Sequence, residues 1–303
     1  MPNPRSFKTA FSLIELSIVI LVIGILIAGV TQGSRLINSY KLLTAQSLTS
    51  SSPVPSIKDL TLWLDSTSEA NFLNQNGSAD ISDTDRISSW KDSNPTTTTP
   101  IFCTQAAAGD RPTYVINTSL LNGLPVVRFN TSPSSMRLAC RLTSLKTENT
   151  IFIVMNFPSS FAGSWQYFFG IRDAAATSIQ YSAIFSGGTI VSNLYTGNPG
   201  LADSLAPNFT AGKSYVITKV ANPDVSPTYN NLYLNSGSIA ATSTYSLSGT
   251  MASPTINIGN GPGMGMPVGA DIGEIIIYER ALKAEERISV EKYLGQKWGI
   301  KLN

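Results

Sequence analysis

The 303-residue chain contains no histidine. That absence excludes Ser-His-Asp and Cys-His catalysis and every histidine-ligated metal. Cysteine is nearly absent too. Cys103 and Cys140 are the only two, too few and too widely spaced for a zinc or redox centre. Charge is thin, at 13% of residues, and from residue 51 onward 17 basic residues face 18 acidic ones. The net charge of that part is therefore −1 and dispersed, without the basic excess of a nucleic-acid surface. No internal repeat recurs at a fixed period, which argues against a propeller or solenoid.

One long apolar run is present. Phe11 to Val30 reads FSLIELSIVILVIGILIAGV, long enough to cross a bilayer as a helix. A single acid, Glu15, interrupts it, and an unpaired carboxylate at that depth costs several kcal/mol, on the order of the insertion penalty for a charged side chain. The preceding residues, Arg5 to Ala10, carry two positive charges and no negative one, which places the N-terminus on the cytoplasmic side. A secretory signal would have a shorter apolar core with its cleavage site after it, and a plain signal anchor would leave Glu15 unexplained.

A short basic leader followed by F-S-L-I-E-L and an apolar helix resembles the N-terminus of type IV pilins and type II secretion pseudopilins. The resemblance implies cleavage by a prepilin peptidase between Ala10 and Phe11, with methylation of the new terminus. It also implies that Glu15 pairs with the terminal amine of a neighbouring subunit during filament assembly. Ala10 stands where the family usually has glycine.

Beyond the span, Leu36, Ile37, Tyr40, Leu43 and Leu48 keep helical spacing. Residues 47 to 56, SLTSSSPVPS, then bring Pro53 and Pro55, which forbid further helix and predict an extended connector. The predicted organisation is a leader (1–10), an assembly helix (11–48), a Ser/Thr/Pro linker holding the head clear of the shaft (49–56), and a head (57–303).

In the head, strand-like segments recur at 60–64, 113–116, 125–129, 150–157, 214–220, 231–234, 255–258 and 272–278. They are rich in Val, Ile, Phe and Tyr and bounded by Gly, Pro, Asn and Ser. Val290, Leu294 and Trp298, four apart, predict one short closing helix from Ala284. The stretches LTLWLDS (60–66), DRISSWKDS (85–93), RPTYV, NGLPVVRFN (122–130) and GEIIIYERALKAEERISVEKYLGQKWGI (273–300) together resemble a bacterial concanavalin A-like lectin/glucanase domain of the laminin-G kind. The resemblance implies an antiparallel jelly-roll sandwich, with Trp63, Trp90 and Trp298 in its core. Lys283 sits at the N-cap of the closing helix, where the family has Ser or Thr, while Glu286 keeps half of a capping box.

Hydrolases of that fold carry E-x-D-x-E or E-x-D-x-x-E on one strand. Neither pattern occurs here, and Glu274 and Glu279, five apart on a predicted strand, point to opposite faces. Carboxylate chemistry needs two acids about 5–10 Å apart, so the reading at this point is that the head is not an enzyme.

Three features remain as site candidates. Cys103 and Cys140 follow the membrane span, and a disulfide is expected over two free thiols. It would close a loop of about 38 residues and contribute roughly 4 kcal/mol on the chain-entropy account. Asp80, Asp83 and Asp85 form an acidic turn that is a weak candidate Ca²⁺ cage, the alternative being a solvated loop. Trp165 and Tyr167, in SSFAGSWQYFFG, are candidate sugar-stacking platforms, the alternative being that they alternate into the core. The glycine-rich 259–269 segment lacks the strand–loop–helix setting of a phosphate loop.

The expectation is a minor, tip-located modular pilin whose lectin-like head adheres to glycans or surface proteins. The alternatives are a pseudopilin contacting exported substrates and a filament-mounted glycan-active enzyme. Expected partners are other pilin subunits, the prepilin peptidase and the bacterial inner membrane before assembly, then an extracytoplasmic filament or cell surface. No nucleic acid is expected, and no cofactor beyond Ca²⁺.

Overall fold

The computed structural model describes residues 12–157, 166–175, 178–184, 189–196, 203–222, 230–239, 249–261 and 265–303. For 178–184, 189–196, 203–208 and 230 it describes the backbone alone.

The chain opens with helix α1 (Leu13–Ser50). The first third of the head then supplies β1 (Leu60–Asp65), β2 (Phe72–Leu73), β3 (Ser89–Lys91), β4 (Phe102–Thr104), β5 (Thr113–Val115), β6 (Val126–Phe129) and β7 (Leu138–Arg141). There follow β8 (Ser144–Lys146), β9 (Asn149–Asn156), β10 (Gln166–Arg172), β11 (Ser178–Ile184), β12 (Thr189–Thr196), β13 (Asp203–Asn208) and β14 (Ser214–Ala221). The chain closes with β15 (Asn230–Leu234), β16 (Gly237–Ile239), β17 (Thr250–Ala252), β18 (Thr255–Ile258), β19 (Ala270–Tyr278) and helix α2 (Ala284–Trp298).

The strands form two large antiparallel sheets. One runs β16-β15-β14-β9-β19-β6-β5, with β1 paired to β19 beyond the end of β6; the other runs β13-β12-β11-β10-β18-β7-β4-β3-β2. Strands β8 and β17 make a small pair of their own. This is the antiparallel sandwich expected from the sequence, preceded by a long helix and closed by a short one.

Alternation along β9 and β19 shows how the layers are stacked. Ile151, Ile153 and Met155, with Ile275 and Ile277, enter the core between the sheets. Phe152 and Val154, with Ile276 and Tyr278, enter a second core that contains Val290, Leu294 and Trp298 of α2 and Ala45 of α1. Both faces of this sheet are thus covered at its centre. That is why β9 and β19 read as continuous apolar runs rather than alternating ones. Trp63, Trp90 and Trp298 are all buried, as expected.

Helix α2 starts with the Lys283 N–H donating to the Glu286 carboxylate at 3.0 Å. It ends at Gly299, whose φ of +65° is the left-handed conformation that favours glycine after a helix.

The linker differs from the prediction. Helix α1 continues to Ser50, and Val54–Ser56 form a 3₁₀ turn rather than an extended connector. Proline fits the first turn of such a helix because its missing N–H is unpaired there anyway. Val54 is fully buried, and its carbonyl accepts from the Tyr278 hydroxyl at 2.9 Å. The joint therefore fastens the foot of α1 onto the head instead of holding the head clear. The face of α1 that docks carries Ala45 and Leu48, whereas Leu36, Ile37, Tyr40 and Leu43 are exposed. Every residue from Ser12 to Gln32 is exposed as well. This helix is long and apolar enough to cross a membrane by length and composition.

Candidate functional site

The foot of α1, β1, β19 and α2 converge on a buried ionic cluster. Lys297 Nζ lies 2.9 Å from Asp65 Oδ1 and 2.9 Å from Glu274 Oε2, and donates to Thr49 Oγ1 of α1 at 2.7 Å. Glu274 also accepts from Trp63 Nε1 at 2.7 Å, Trp298 Nε1 at 2.8 Å and the Tyr293 hydroxyl at 2.8 Å. Burial raises the Glu274 carboxyl above its ordinary range. Burial alone would lower the Lys297 ammonium, but Asp65 and Glu274 outweigh it and hold the pKa above its ordinary value.

Gly273 makes this arrangement possible. A Cβ there would stand 2.6–2.8 Å from the Trp298 indole, and the pairing of β19 with β9 shifts register between Ile272 and Glu274. That irregularity turns Glu274 towards the helices.

Beside the cluster a cleft of about 600 Å³ opens between helix and head. Gln46, Thr49 and Ser50 of α1 form one wall, and Asp65, Ser68 and Asn71 stand on the head side. The segment Lys91 to Asn94 lies along it. Gln46 Nε2 donates to the Thr67 carbonyl at 2.9 Å, and Asn71 Nδ2 donates to the Asp65 carbonyl at 3.1 Å and to Ser93 Oγ at 2.8 Å. Asp92 Oδ1 accepts the N–H groups of Trp63 and Asn94, each at 2.9 Å. Asp92 Oδ2 is buried with no partner. Burial raises the Asp92 carboxyl, against the lowering effect of its backbone hydrogen bonds. The Lys91 ammonium has no carboxylate within ion-pair distance among the described residues. Chemically, the cleft offers fixed amides and hydroxyls, one acid with a single unpartnered oxygen, and, among the described residues, one lysine outside any ion pair.

The expected site residues fare unequally. Ala10, Phe11 and Trp165 lie outside the described residues. Glu15 sits at the third position of α1, where Oε2 accepts the Ser12 N–H at 3.0 Å while Ser12 Oγ accepts from Ile14 at 3.3 Å. Cys103 and Cys140 are bridged, with Cα atoms 4.0 Å apart. Tyr167 is 7% exposed and buried, so it is no sugar platform; β10 shifts register between Tyr167 and Phe169, and the neighbouring Phe168 and Phe169 both enter the core.

The acidic turn is corrected as well. Asp83 Oδ1 accepts from the Ile116 N–H, and Asp85 accepts from Ser82 N–H and Gln75 Nε2, while Asp80 takes part through its backbone. The Asp83 and Asp85 carboxylates are engaged with separate partners, and among the described residues no three metal-ligating side chains converge.

Sequence reasoning missed Asp65, Asp92 and Lys297, and weighed Glu274 only as a catalytic acid. Their one available signal was an acid set at the edge of an apolar run, in LTLWLD and GEIIIY.

No family model matches the chain, and no curated protein matches it. Solved structures do. The binding domain of Paraclostridial Mosquitocidal Protein 1 superposes with a TM-score of 0.51 at 15% identity, covering 80% of this chain and 55% of that one. Trypanosoma rangeli sialidase, in complex with 2-keto-3-deoxy-D-glycero-D-galacto-2,3-difluoro-nononic acid, gives 0.51 at 9% identity, over 88% of this chain and 39% of the sialidase. Domain 4 of AbnA, an extracellular arabinanase from Geobacillus stearothermophilus, in complex with arabinotriose, gives 0.48 at 13% identity, over 79% and 98%. The chain spans about a third of the length of the first sialidase chains it matches.

At these identities the likeness is one of fold. It overturns one expectation. The reading that the head is not an enzyme leaned on a missing E-x-D-x-E pattern, yet the sandwich is shared with part of a sialidase chain, so the missing pattern does not decide the question.

Proposed function

We propose that the chain is a membrane-anchored, pilin-like subunit that displays a glycan-binding head, in few copies and at the tip of a filament. The observation that carries this is the exposure of α1 from Ser12 to Gln32. An apolar surface of that length is not left in water; a bilayer first, and sister helices afterwards, would cover it. Glu15 at its start is the acid that the pilin-like reading pairs with a neighbouring subunit's amine. The head is too large to repeat densely along a thin shaft, which favours the tip. Its fold is shared with a domain described as a binding domain and with a sialidase bound to a sugar acid, and glycan recognition is the reading carried over from the second.

The test uses the full-length protein in detergent micelles on a broad glycan array, with release of reducing sugar followed in the same wells. Selective binding supports the reading, and sugar release would extend it to glycan cleavage. A blank array would overturn the glycan assignment and turn attention to protein ligands. In cells, deleting the gene should reduce attachment and leave protein secretion intact; a secretion block would indicate a pseudopilin instead.

A further inference from the structure

We propose that the glycan seat of this head is the cleft it forms with the foot of its own helix, and that the ligand is a short, neutral, hydroxyl-rich oligosaccharide. This rests on the glycan-binding reading above and adds where and what the protein binds.

The cleft has the volume of a small-ligand site, about 600 Å³. Its polar groups are held in place before any ligand arrives. Asn71 is fixed by two hydrogen bonds from its amide, and Gln46 is tied to the Thr67 carbonyl. Such pre-organisation lowers the ordering cost of binding. Asp92 adds an acceptor that is buried and unpartnered, a state a folded protein tolerates poorly unless something meets it. That oxygen is closed to solvent in the unliganded protein, so a ligand hydroxyl meets it only with a small shift of the cleft's lining.

The charges select against ionic ligands. Asp65 is already paired with Lys297, leaving the Asp92 carboxyl and the Lys91 ammonium to offset one another. Among the described residues no three acids converge to favour a cation, and one lysine is too little for a polyanion. Short hydroxyl and amide side chains with one acceptor and one charged donor suit a sugar edge, which presents both donors and acceptors.

One wall is helix. A ligand in this cleft touches α1 through Gln46, Thr49 and Ser50, so the seat is incomplete on a head without its helix. Binding would then report on the junction between shaft and head.

The experiment compares the full-length protein in micelles with Ser50→Trp and Lys91→Ala on the same array, with a thermal melt of each. Ser50 is exposed and Lys91 is half-buried, and neither belongs to a hydrophobic core. Ser50→Trp is expected to abolish binding by filling the cleft from the helix side, and Lys91→Ala to weaken it about tenfold, the worth of one charge-assisted hydrogen bond. Both should melt as the parent does. Parent binding to neutral glycans with these losses supports the seat. Binding that persists unchanged in Ser50→Trp and Lys91→Ala overturns the seat and leaves the glycan reading standing. Hits confined to sialylated or sulfated glycans overturn the neutral ligand class. An array blank for the parent overturns both proposals together.

Discussion

Lys297 is the residue on which the junction turns. Its ammonium is the only cation bonded to Asp65 and Glu274 among the described residues, and all three are buried. Lys297→Met would leave two buried carboxylates without a counter-charge, which costs about 3–5 kcal/mol. Urea unfolding of the two proteins at neutral pH measures this, and a loss under about 1 kcal/mol, the worth of an exposed pair, would show that the cluster is solvated. The pH dependence follows from the direction of each shift. An unfolded chain releases the lysine proton at its ordinary 10.5, whereas the folded protein holds it more tightly. The stabilisation is therefore whole below pH 10.5 and lost as pH rises through the folded value. Glu274, raised by burial, favours folding most when protonated, so its contribution declines as pH climbs above 4.5. The Lys297→Met deficit should accordingly shrink on acidification towards pH 5, and a deficit that grows there would contradict the assignment. None of this was legible in the sequence. Asp65, Glu274 and Lys297 all stand in stretches that mark the fold, but nothing local tells that three such distant residues meet.

Among the elements, legibility followed burial. Strands β9, β14 and β19 are covered on both faces and rich in β-branched residues, so they stand out in the sequence. Strands β3, β4 and β7 are three or four residues long and carry Ser, Lys, Thr and Arg; sheet neighbours rather than composition make them strands. The cysteines were the exception in that region, and they fall directly opposite each other on β4 and β7. Replacing both with serine should cost about 4 kcal/mol on the loop-closure account. Oxidised parent, parent with dithiothreitol and the double variant would be melted together. The second and third should coincide well below the first, and coincidence of all three would mean that the bridge contributes nothing. At β19, Gly273→Ala forces a methyl against the Trp298 ring and should destabilise by about 1–3 kcal/mol through overpacking. A neutral effect in the same melt would show that the ring can shift aside. The linker was misread because proline statistics speak to its backbone and say nothing of the pocket that receives Val54.

At the scale of the whole molecule, one end is welded and the other bare. Thr49 and Gln46 tie the foot of α1 to the head, so any force along the helix reaches the cleft and the ionic cluster together. The upper part of the helix, Ser12 to Gln32, is by contrast exposed throughout, and the exposed stripe of Leu36, Ile37, Tyr40 and Leu43 extends that bare surface below the apolar span. Glu15 lies at the far end, partnered by the Ser12 backbone N–H. A neutral donor does not balance a carboxylate in low dielectric, where an opposite charge is needed. If the subunit assembles as a pilin does, Glu15→Leu should enter the membrane at least as well as the parent, since it removes the one intramembrane charge. Its share in sheared filaments should nevertheless fall by about tenfold or more, because loss of an interfacial ion pair costs at least about 1.4 kcal/mol. Immunoblots of the membrane and sheared fractions give both quantities from one culture. Unchanged filament content would sink the pilin-like assembly and leave α1 as a plain anchor. Reduced membrane content would mean that Glu15 acts at insertion, before any subunit is met.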